Sequence, residues 1–259
     1  MGRSLGAAVV SGAGRGLGRV CALALADAGY PVALQARTQA ELYDLRADIE
    51  ALGGRARVVV GDARRPQAAM ELVERCQAEL GPVSVVVAAA GRCLEGTLLE
   101  TKPSDWLDLF EINVMSAVHL VRAGAEAMIE HRIRGRIVLI AGVSALRGVR
   151  RGAAFSASKH ALLGLVRSAA LEFAPHGITV NALCPGLVEG QSLERIVEDT
   201  MARTGCTHSE ARQSVLAMSP MGEAVEAEEI AGFLRLLVSD GARHLTGQAL
   251  TVDAGQTLA

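Results

Sequence analysis

The stretch that decides the fold is a glycine-rich loop near the start of the chain. It reads Ser11-Gly12-Ala13-Gly14-Arg15-Gly16-Leu17-Gly18. The apolar run Leu5 to Val10 precedes it, and an amphipathic segment that ends at Gly29 follows. A strand that leads through glycines into a helix lets backbone N–H groups face a pyrophosphate. The glycines alone are weak evidence and also fit a merely tight turn, but their place between strand and helix indicates dinucleotide binding.

The same alternation of apolar runs and amphipathic segments continues along the chain and predicts the fold class. Strands are predicted at 32–36, 57–60, 83–87, 136–140, 178–183 and 249–252, and helices at 40–52, 67–80, 104–129, 153–174 and 226–237. Unbroken apolar strands that alternate with helices indicate a parallel sheet covered on both faces. The polar stretch 193–217 is helical, without a strand beside it. We predict a single α/β domain over residues 1–259, a Rossmann-type doubly wound parallel sheet.

Composition excludes several classes of function. A net charge of -2 with scattered arginines argues against a nucleic-acid partner. The five cysteines are widely spaced and odd in number, which favours free or buried thiols in a reducing compartment. No apolar run approaches transmembrane length, and no Cys/His cluster predicts a metal site. We therefore expect a cytoplasmic protein that binds neither membrane nor metal.

The end of the second predicted strand bears on the choice of nicotinamide cofactor. NAD use favours an Asp or Glu near position 36, where this chain has Ala36 followed by Arg37. Arg15 lies within the glycine loop. Two guanidinium groups suit a 2′-phosphate through charge-assisted hydrogen bonds, although both also fit an ordinary exposed surface. The sequence favours NADP.

A second stretch, Phe155-Ser156-Ala157-Ser158-Lys159, has the spacing of a catalytic acid/base pair but lacks the acid. Residues four apart share one face of a helix. A Tyr and a Lys at this spacing would form such a pair, because the ammonium lowers the phenol pKa. Here the ring belongs to Phe155, which has no proton to give. Lys159 is one of only two lysines in the chain, which favours a specific role.

These features together resemble the classical short-chain dehydrogenase/reductase family over essentially the whole chain, and within it the bacterial ketoreductases of fatty-acid and polyketide pathways. The matching motifs are the glycine loop, Asp62, Ala88-Ala89-Ala90-Gly91, Asn113, Pro185-Gly186 and the tail from Thr246 to Gly255. The resemblance implies a tetramer with the terminal strand at an interface. It also implies that residues 189–217 form a variable substrate lid.

The resemblance assigns the site residue by residue. It implies cofactor contacts from Gly12, Arg15, Gly16, Leu17, Gly18, Arg37, Asp62, Ala63, Ala89, Gly91, Lys159, Pro185, Gly186 and Val188. Lys159 and Asn113 match the family's catalytic Lys and Asn, whereas the catalytic Tyr and Ser positions are occupied by Phe155 and Gly142. Ser144 lies two residues after Gly142 and would share its face on a strand. It either substitutes in part for the missing serine or is a hydroxyl that caps a loop or faces the substrate.

Two functions remain open from the sequence. The first is an NADPH-dependent reductase of a quinone or polycyclic aromatic substrate, whose reduced anion needs no strong protein acid. Phe155, Ser144 and Arg147 would then face the substrate, although solvated loop arginines are the simpler interpretation of Arg147 and its neighbours. The second is a non-reductive role, as a pseudo-enzyme subunit or a recruited cyclase scaffold in a biosynthetic pathway.

Overall fold

The computed structural model describes residues 6–258 and has the predicted alternation of strands and helices. The strands are β1 (Ala7–Ser11), β2 (Val32–Ala36), β3 (Ala56–Val60), β4 (Val83–Ala88), β5 (Arg136–Ile140), β6 (Thr179–Pro185) and β7 (Ala249–Val252). The helices are α1 (Gly16–Asp27), α2 (Gln39–Ala51), α3 (Pro66–Glu79), α4 (Pro103–Phe110), α5 (Ser116–Glu130), α6 (Ala153–Phe173), α7 (Gln191–Thr204), α8 (His208–Leu216) and α9 (Ala227–Val238). Leu5, where the first predicted strand begins, lies outside the described residues.

The strands form one parallel sheet in the order β3-β2-β1-β4-β5-β6-β7. The strand order reverses between β1 and β4, which places the crevice for a dinucleotide at their carboxyl ends. One apolar cluster packs α3, α5 and α6 against one face of the sheet, and another packs α1, α2 and α9 against the other. Both faces are therefore covered, as the unbroken apolar strands predict.

The prediction of one continuous helix over 104–129 is wrong in one respect. A π-helical turn, Glu111–Met115, separates α4 from α5. Asn113 lies in this turn, and its side chain bonds to groups outside the helix. Such a turn inserts one extra residue into the helical ladder and shifts the side chains that follow it, a change that hydrophobic periodicity does not reveal.

The polar stretch predicted over 193–217 forms two helices, α7 and α8, which have a small apolar cluster of their own. It contains Leu187, Leu193, Val197, Ala211 and Val215. Arg212 of α8 forms ion pairs with Glu189 and Glu194, which join the two helices to the segment before them. The pair therefore packs as a unit beside the main domain. No helix within residues 6–258 is long and apolar enough to cross a membrane.

Candidate active site

The glycine loop forms a tight strand-to-helix turn with an anion-binding helix end. Gly12 and Gly16 adopt positive φ angles of 66° and 54°, which favour glycine. A Cβ atom on Gly18 would lie 2.0 Å from the Gly12 carbonyl oxygen, so only glycine allows α1 to start this close to the loop. No side chain caps α1, and its first turn has no acidic residue. The free N–H groups and the open space above Gly16 fit a pyrophosphate.

Arg15 and Arg37 are both exposed near this loop, Arg15 just before α1 and Arg37 just after β2. Neither forms an ion pair within 4.0 Å with a residue that the structure describes. Arg37 is close enough to Asp62 to lower the pKa of that carboxyl, although the main cause of the lowered pKa is the hydrogen bond from Arg64. Two exposed guanidinium groups therefore lie next to the segments that follow β1 and β2.

The carboxylate of Asp62 is already bonded to a residue that the sequence analysis did not consider. Arg64 Nη2 donates to Asp62 Oδ2 at 2.6 Å, and Arg64 Nη1 donates to Asp108 Oδ1 at 3.1 Å. Arg92 forms an ion pair with the other oxygen of Asp108. This chain of alternating charges joins the loop after β3 to the loop after β4. Local sequence carries no signal for it, because Arg64 and Asp108 lie 44 positions apart.

The side chain of Asn113 holds the loop after β4 in place. It is almost fully buried, at 1% exposure. Its Oδ1 accepts from the Arg92 backbone N–H at 2.8 Å, and its Nδ2 donates to the Arg92 carbonyl at 3.1 Å and to Ser158 Oγ at 2.9 Å. Ser158 Oγ in turn donates to the Phe155 carbonyl at 2.7 Å. Asn113 therefore positions both the β4 loop and the start of α6.

Lys159 is the buried cation of the site. Its side chain is 8% exposed, and Nζ donates to the Ile140 carbonyl at the end of β5 at 3.0 Å. A Cβ atom on Gly91 would lie 3.6 Å from Nζ, at ordinary contact distance, so the loop after β4 lies next to the ammonium. Burial lowers the pKa of Lys159 to about 8. The group is thus a cation that can exchange its proton near neutral pH.

Phe155 lies on the same face of α6 as Lys159, as the four-residue spacing predicts. Lys159 Nζ is 5.9 Å from the centroid of the half-buried Phe155 ring, within range of a cation–π contact. Next to it, Ser156 Oγ accepts from the Val149 backbone N–H at 3.2 Å and closes the preceding loop. The ammonium therefore faces an aromatic ring that carries no hydroxyl.

Gly142 and Ser144 do not lie on a strand, as the comparison of their side-chain directions had assumed. β5 ends at Ile140, and Val143–Ala145 form a single 3-10 turn. Gly142 has a φ of 106°, a conformation that side-chain-bearing residues rarely adopt. The argument from strand alternation is therefore wrong for Ser144. Its buried hydroxyl nevertheless lies 3.7 Å from the point that a Cβ on residue 142 would occupy.

Two thiols near Lys159 were not singled out from the sequence. Cys184 is buried at the end of β6, and its Sγ accepts a hydrogen bond from the Gly142 N–H, although burial raises its pKa overall. Cys93 follows the loop that Asn113 holds and is exposed. Lys159 interacts electrostatically with both thiols. The position of Cys93, two residues after the Ala-Ala-Ala-Gly motif, was the available signal.

The remaining predicted cofactor residues lie along the same edge of the sheet. Leu17 packs into the cluster under α1, and Ala63 is buried after β3. A Cβ on Gly12 would meet Ala90 at 2.7 Å, which brings the glycine loop against the segment of Ala89 and Gly91. Two segments further along the chain hold the loop after β6. Gly186 N–H donates to the Val252 carbonyl at 2.9 Å, and Val188 forms an isolated parallel β-bridge with Val225.

The predicted substrate arginine, Arg147, is half-buried in the turn after Ser144, with its backbone N–H bonded to the Val143 carbonyl at 3.1 Å. Of its neighbours, Arg151 pairs with Glu100 at 3.4 Å. Arg150 is exposed. Gly96 N–H donates to the Arg151 carbonyl at 2.7 Å, so this loop and the one after β4 meet at the mouth of the site. Among residues 6–258, no group of three His, Cys, Asp or Glu side chains is arranged to hold a metal ion.

Comparison with known proteins places this geometry in a family. A family model described as enoyl-(acyl carrier protein) reductase matches residues 12–257. The chain belongs to the short-chain dehydrogenase/reductase family. It is 32% identical over 248 residues to the 3-oxoacyl-[acyl-carrier-protein] reductase of Escherichia coli, covering 96% of each chain. It is 34% identical over 249 residues to the L-rhamnose 1-dehydrogenase (NAD(P)(+)) of a Sphingomonas strain, covering 95% of this chain and 94% of the other.

Solved structures agree with the short-chain dehydrogenase/reductase assignment. A single-substitution variant of the actinorhodin polyketide ketoreductase with NADPH superimposes with a TM-score of 0.93 at 33% identity, covering 98% of each chain. Carveol dehydrogenase from Mycobacterium avium in complex with NAD also has a TM-score of 0.93, at 27% identity and 98% coverage of each chain. The predictions of the family, its oxidoreductase class and the Rossmann-type fold are confirmed. The roles of individual residues remain predictions.

Proposed function

We propose that this short-chain dehydrogenase/reductase is an NADPH-dependent reductase of a quinone or polycyclic aromatic ketone, which transfers hydride without a tyrosine acid. One observation carries the proposal: the buried ammonium of Lys159 is retained and faces the ring of Phe155. A chain that had lost all function would have no reason to keep a desolvated cation, because an unused buried charge destabilises the fold. The phenyl ring of Phe155, in place of the family's phenol, instead supports a substrate that needs no strong acid from the protein.

The choice of NADP rests on the two arginines. Arg15 and Arg37 are exposed and lack ion-pair partners among the described residues, so they are available to a 2′-phosphate. The solved relatives include a ketoreductase with NADPH and a dehydrogenase with NAD, so the fold alone does not choose between the two. NADPH use and five free cysteines also support a cytoplasmic location.

The residues present fit the dinucleotide. The glycine loop and the uncapped start of α1 would bind the pyrophosphate, and Asp62 with Ala63 would border the adenine. Lys159 would donate to the ribose hydroxyls, and the loop from Pro185 to Val188 would lie beside the nicotinamide. Bound NADPH supplies the hydride. Asn113 contributes by holding the β4 loop and α6 in register, rather than by touching the reacting atoms.

The substrate class follows from the missing phenol. Reduction of an ordinary ketone creates a very basic alkoxide, and loss of a general acid there costs on the order of 10²–10⁴ in rate. Hydride addition to a quinone gives a phenolate-like anion whose conjugate acid has a pKa of about 10. A weaker acid, or water, suffices for that anion. Phe155 offers a flat apolar surface to aromatic rings, and Ser144 offers a hydroxyl to the carbonyl.

The helix pair α7 and α8 would cover the substrate. It has a separate small core, and Arg212 joins it to Glu189, so it can move as a unit. We therefore propose that residues 189–217 form the substrate lid of the single domain. Arg147, at the mouth of the site, would approach an acidic or phenolic group on the substrate.

A second candidate function is supported by the conformation of Gly142. Its positive φ disfavours the serine that the family uses to orient the carbonyl, and Phe155 replaces the acid. Loss of both groups supports a non-reductive role, as a pseudo-enzyme subunit or a scaffold that shapes a reactive intermediate. Such a protein would bind the substrate and would leave NADPH unchanged.

Anaerobic NADPH absorbance decides between the two candidates. The wild-type protein is assayed with a panel of naphthoquinones, anthraquinones and aliphatic ketones, and hydroquinone products are identified by mass. Air is excluded because hydroquinones reoxidise and hide the product. The reductase predicts turnover with quinones and little with aliphatic ketones. No NADPH consumption with any substrate, despite cofactor binding by calorimetry, would establish the non-reductive role.

A further inference from the structure

We propose that Gln256 is a positioning residue for the nicotinamide half of the cofactor. Its side chain extends from a C-terminal turn, residues 253–257, to the loop after β6. It acts on the cofactor through that loop and does not touch the reacting atoms. This role rests on the cofactor binding of the proposed function, and it belongs to a residue just beyond the tail motif that ends at Gly255.

The side chain of Gln256 is buried against the loop after β6. It is 6% exposed, and its Oε1 accepts from the backbone N–H of Leu187 at 3.2 Å. A Cβ on Gly186 would lie 2.8 Å from the same oxygen and 2.8 Å from the Cβ of Asp253. The turn therefore fills the space beside Gly186, and the loop cannot shift toward the turn while Gln256 is in place.

Leu187 is the residue at which this loop meets the lid. Its N–H donates to Gln256, and its carbonyl accepts from the Val225 N–H at 2.7 Å. Its buried side chain belongs to the small apolar cluster of α7 and α8. One residue thus joins the C-terminal turn, the loop after β6 and the core of the lid, so a change at Gln256 is transmitted directly to this loop.

The turn that carries the glutamine is itself fixed. The buried carboxylate of Asp253 accepts from the backbone N–H groups of Gly255 at 3.1 Å and of Thr257 at 2.7 Å. The Ala254 carbonyl accepts from the N–H of Met221, in the segment after α8, at 3.2 Å. These bonds do not involve the glutamine side chain. Replacing that side chain should therefore remove one hydrogen bond to the loop and leave the turn intact.

The two halves of the cofactor depend on different parts of the chain. The loop of residues 185–188 would lie beside the nicotinamide, whereas the glycine loop, Arg15 and Arg37 would hold the pyrophosphate and the 2′-phosphate. Gln256 bonds to the first of these regions. Its loss should weaken binding of the whole cofactor and spare a fragment that lacks nicotinamide.

The first experiment is made without cofactor. Hydrogen–deuterium exchange at the Leu187 amide should be about tenfold faster in Gln256→Met, which keeps the side-chain length and lacks the acceptor oxygen. Gln256→Glu keeps that oxygen and should retain the protection. The matched control is Gln248→Met, which removes an exposed glutamine bonded to the Thr246 carbonyl and should change nothing at Leu187. Equal exchange in Gln256→Met and wild type would overturn the role.

The second experiment is isothermal titration with two ligands, NADPH and adenosine 2′,5′-bisphosphate, which has the 2′-phosphate and lacks nicotinamide. Gln256→Met should bind NADPH about tenfold more weakly, the loss expected for one hydrogen bond, and should bind the bisphosphate as tightly as the wild type does. Gln256→Glu and Gln248→Met should bind both ligands like the wild type. A general loss of structure predicts instead that both affinities fall together.

The outcomes separate this role from the proposed function. If the wild type binds NADPH and Gln256→Met loses affinity for both ligands or for neither, Gln256 does not position the nicotinamide half, and the proposed function stands. Selective loss of NADPH affinity supports the role even where no quinone is reduced, because neither measurement uses turnover. If the wild type does not bind NADPH, the proposed function fails and the role of Gln256 fails with it.

Discussion

The ammonium nitrogen of Lys159 lies 5.9 Å from the centroid of the Phe155 ring. A tyrosine in place of Phe155 would carry an acidic hydroxyl on its ring. The ammonium of Lys159 would then lower the pKa of that hydroxyl. With phenylalanine, the cation instead faces the π system, a contact worth roughly 0.5–2 kcal/mol. The pair therefore retains the charge of a reductase site and lacks its usual acid, which makes it directly testable.

Phe155→Tyr should not accelerate quinone reduction. The product anion is already stabilised, and the added hydroxyl has no ready partner, so the rate should stay equal or fall. The same variant should gain measurable activity on simple ketones, because Lys159 is in register and the Ser144 hydroxyl lies close to the expected serine position. Steady-state NADPH oxidation with both substrate types checks this. Efficient reduction of aliphatic ketones by the wild type would contradict the absence of a strong acid.

Restoring the family serine by Gly142→Ser should destabilise the protein. The φ of 106° is unfavourable for serine, at a cost of about 1–3 kcal/mol in the free energy of unfolding. Urea denaturation gives this value. Gly164→Ser is the matched control, since α6 leaves open space around that glycine and its φ is not positive. Equal stability of the two variants would show that the turn after β5 relaxes freely.

The protein should bind NADP more tightly than NAD, and Arg37→Asp should narrow or reverse that preference. The substitution removes a charge-assisted donor and adds repulsion, so NADP affinity should fall by about tenfold or more. Isothermal titration of both cofactors measures it. Arg243→Asp, at an exposed position remote from the glycine loop, should leave both affinities unchanged. Equal or tighter NAD binding by the wild type would refute the assignment.

Stability should depend on the titration of Lys159. Burial lowers its folded-state pKa from 10.5 to about 8, so between these values the unfolded chain binds more protons than the folded one. The free energy of unfolding should therefore rise with pH across that window, by up to about 3 kcal/mol from this group. Lys159→Met should lack the rise and should be the more stable protein below a pH of about 8. Parallel slopes for the two proteins would contradict the lowered pKa.

The protein should assemble as a tetramer, or at least a dimer, through the helices that contain Asn113 and Lys159 and through β7. These helices expose apolar side chains: Leu107 is 69% exposed and Leu171 is 79% exposed. Sedimentation at micromolar concentration should show the oligomer, and Leu171→Glu should shift it to smaller species. Leu52→Glu, at a similarly exposed leucine on the other face, should not. A monomeric wild type would refute the prediction.

The sequence by itself determined the fold and the identity of the main residues of the site. Apolar strand runs and amphipathic helices are local patterns, and their alternation left a doubly wound parallel sheet as the simple solution. The glycine loop between β1 and α1 and the four-residue spacing of Phe155 and Lys159 are equally local. These features could be predicted because each depends on residues within one or two turns of one another.

Only the tertiary structure decided how those residues are arranged in space. The π-helical turn at Asn113, the positive φ of Gly142 and the approach of Ser144 depend on contacts with segments that are distant in the chain. The bond from Arg64 to Asp108 joins residues 44 positions apart. Parallel strands that end at one edge of the sheet bring the loop after β4 to Lys159, whose Nζ lies 3.6 Å from the point that a Cβ on Gly91 would occupy. Local periodicity carries no record of such pairings, since they are made only when the strands come together.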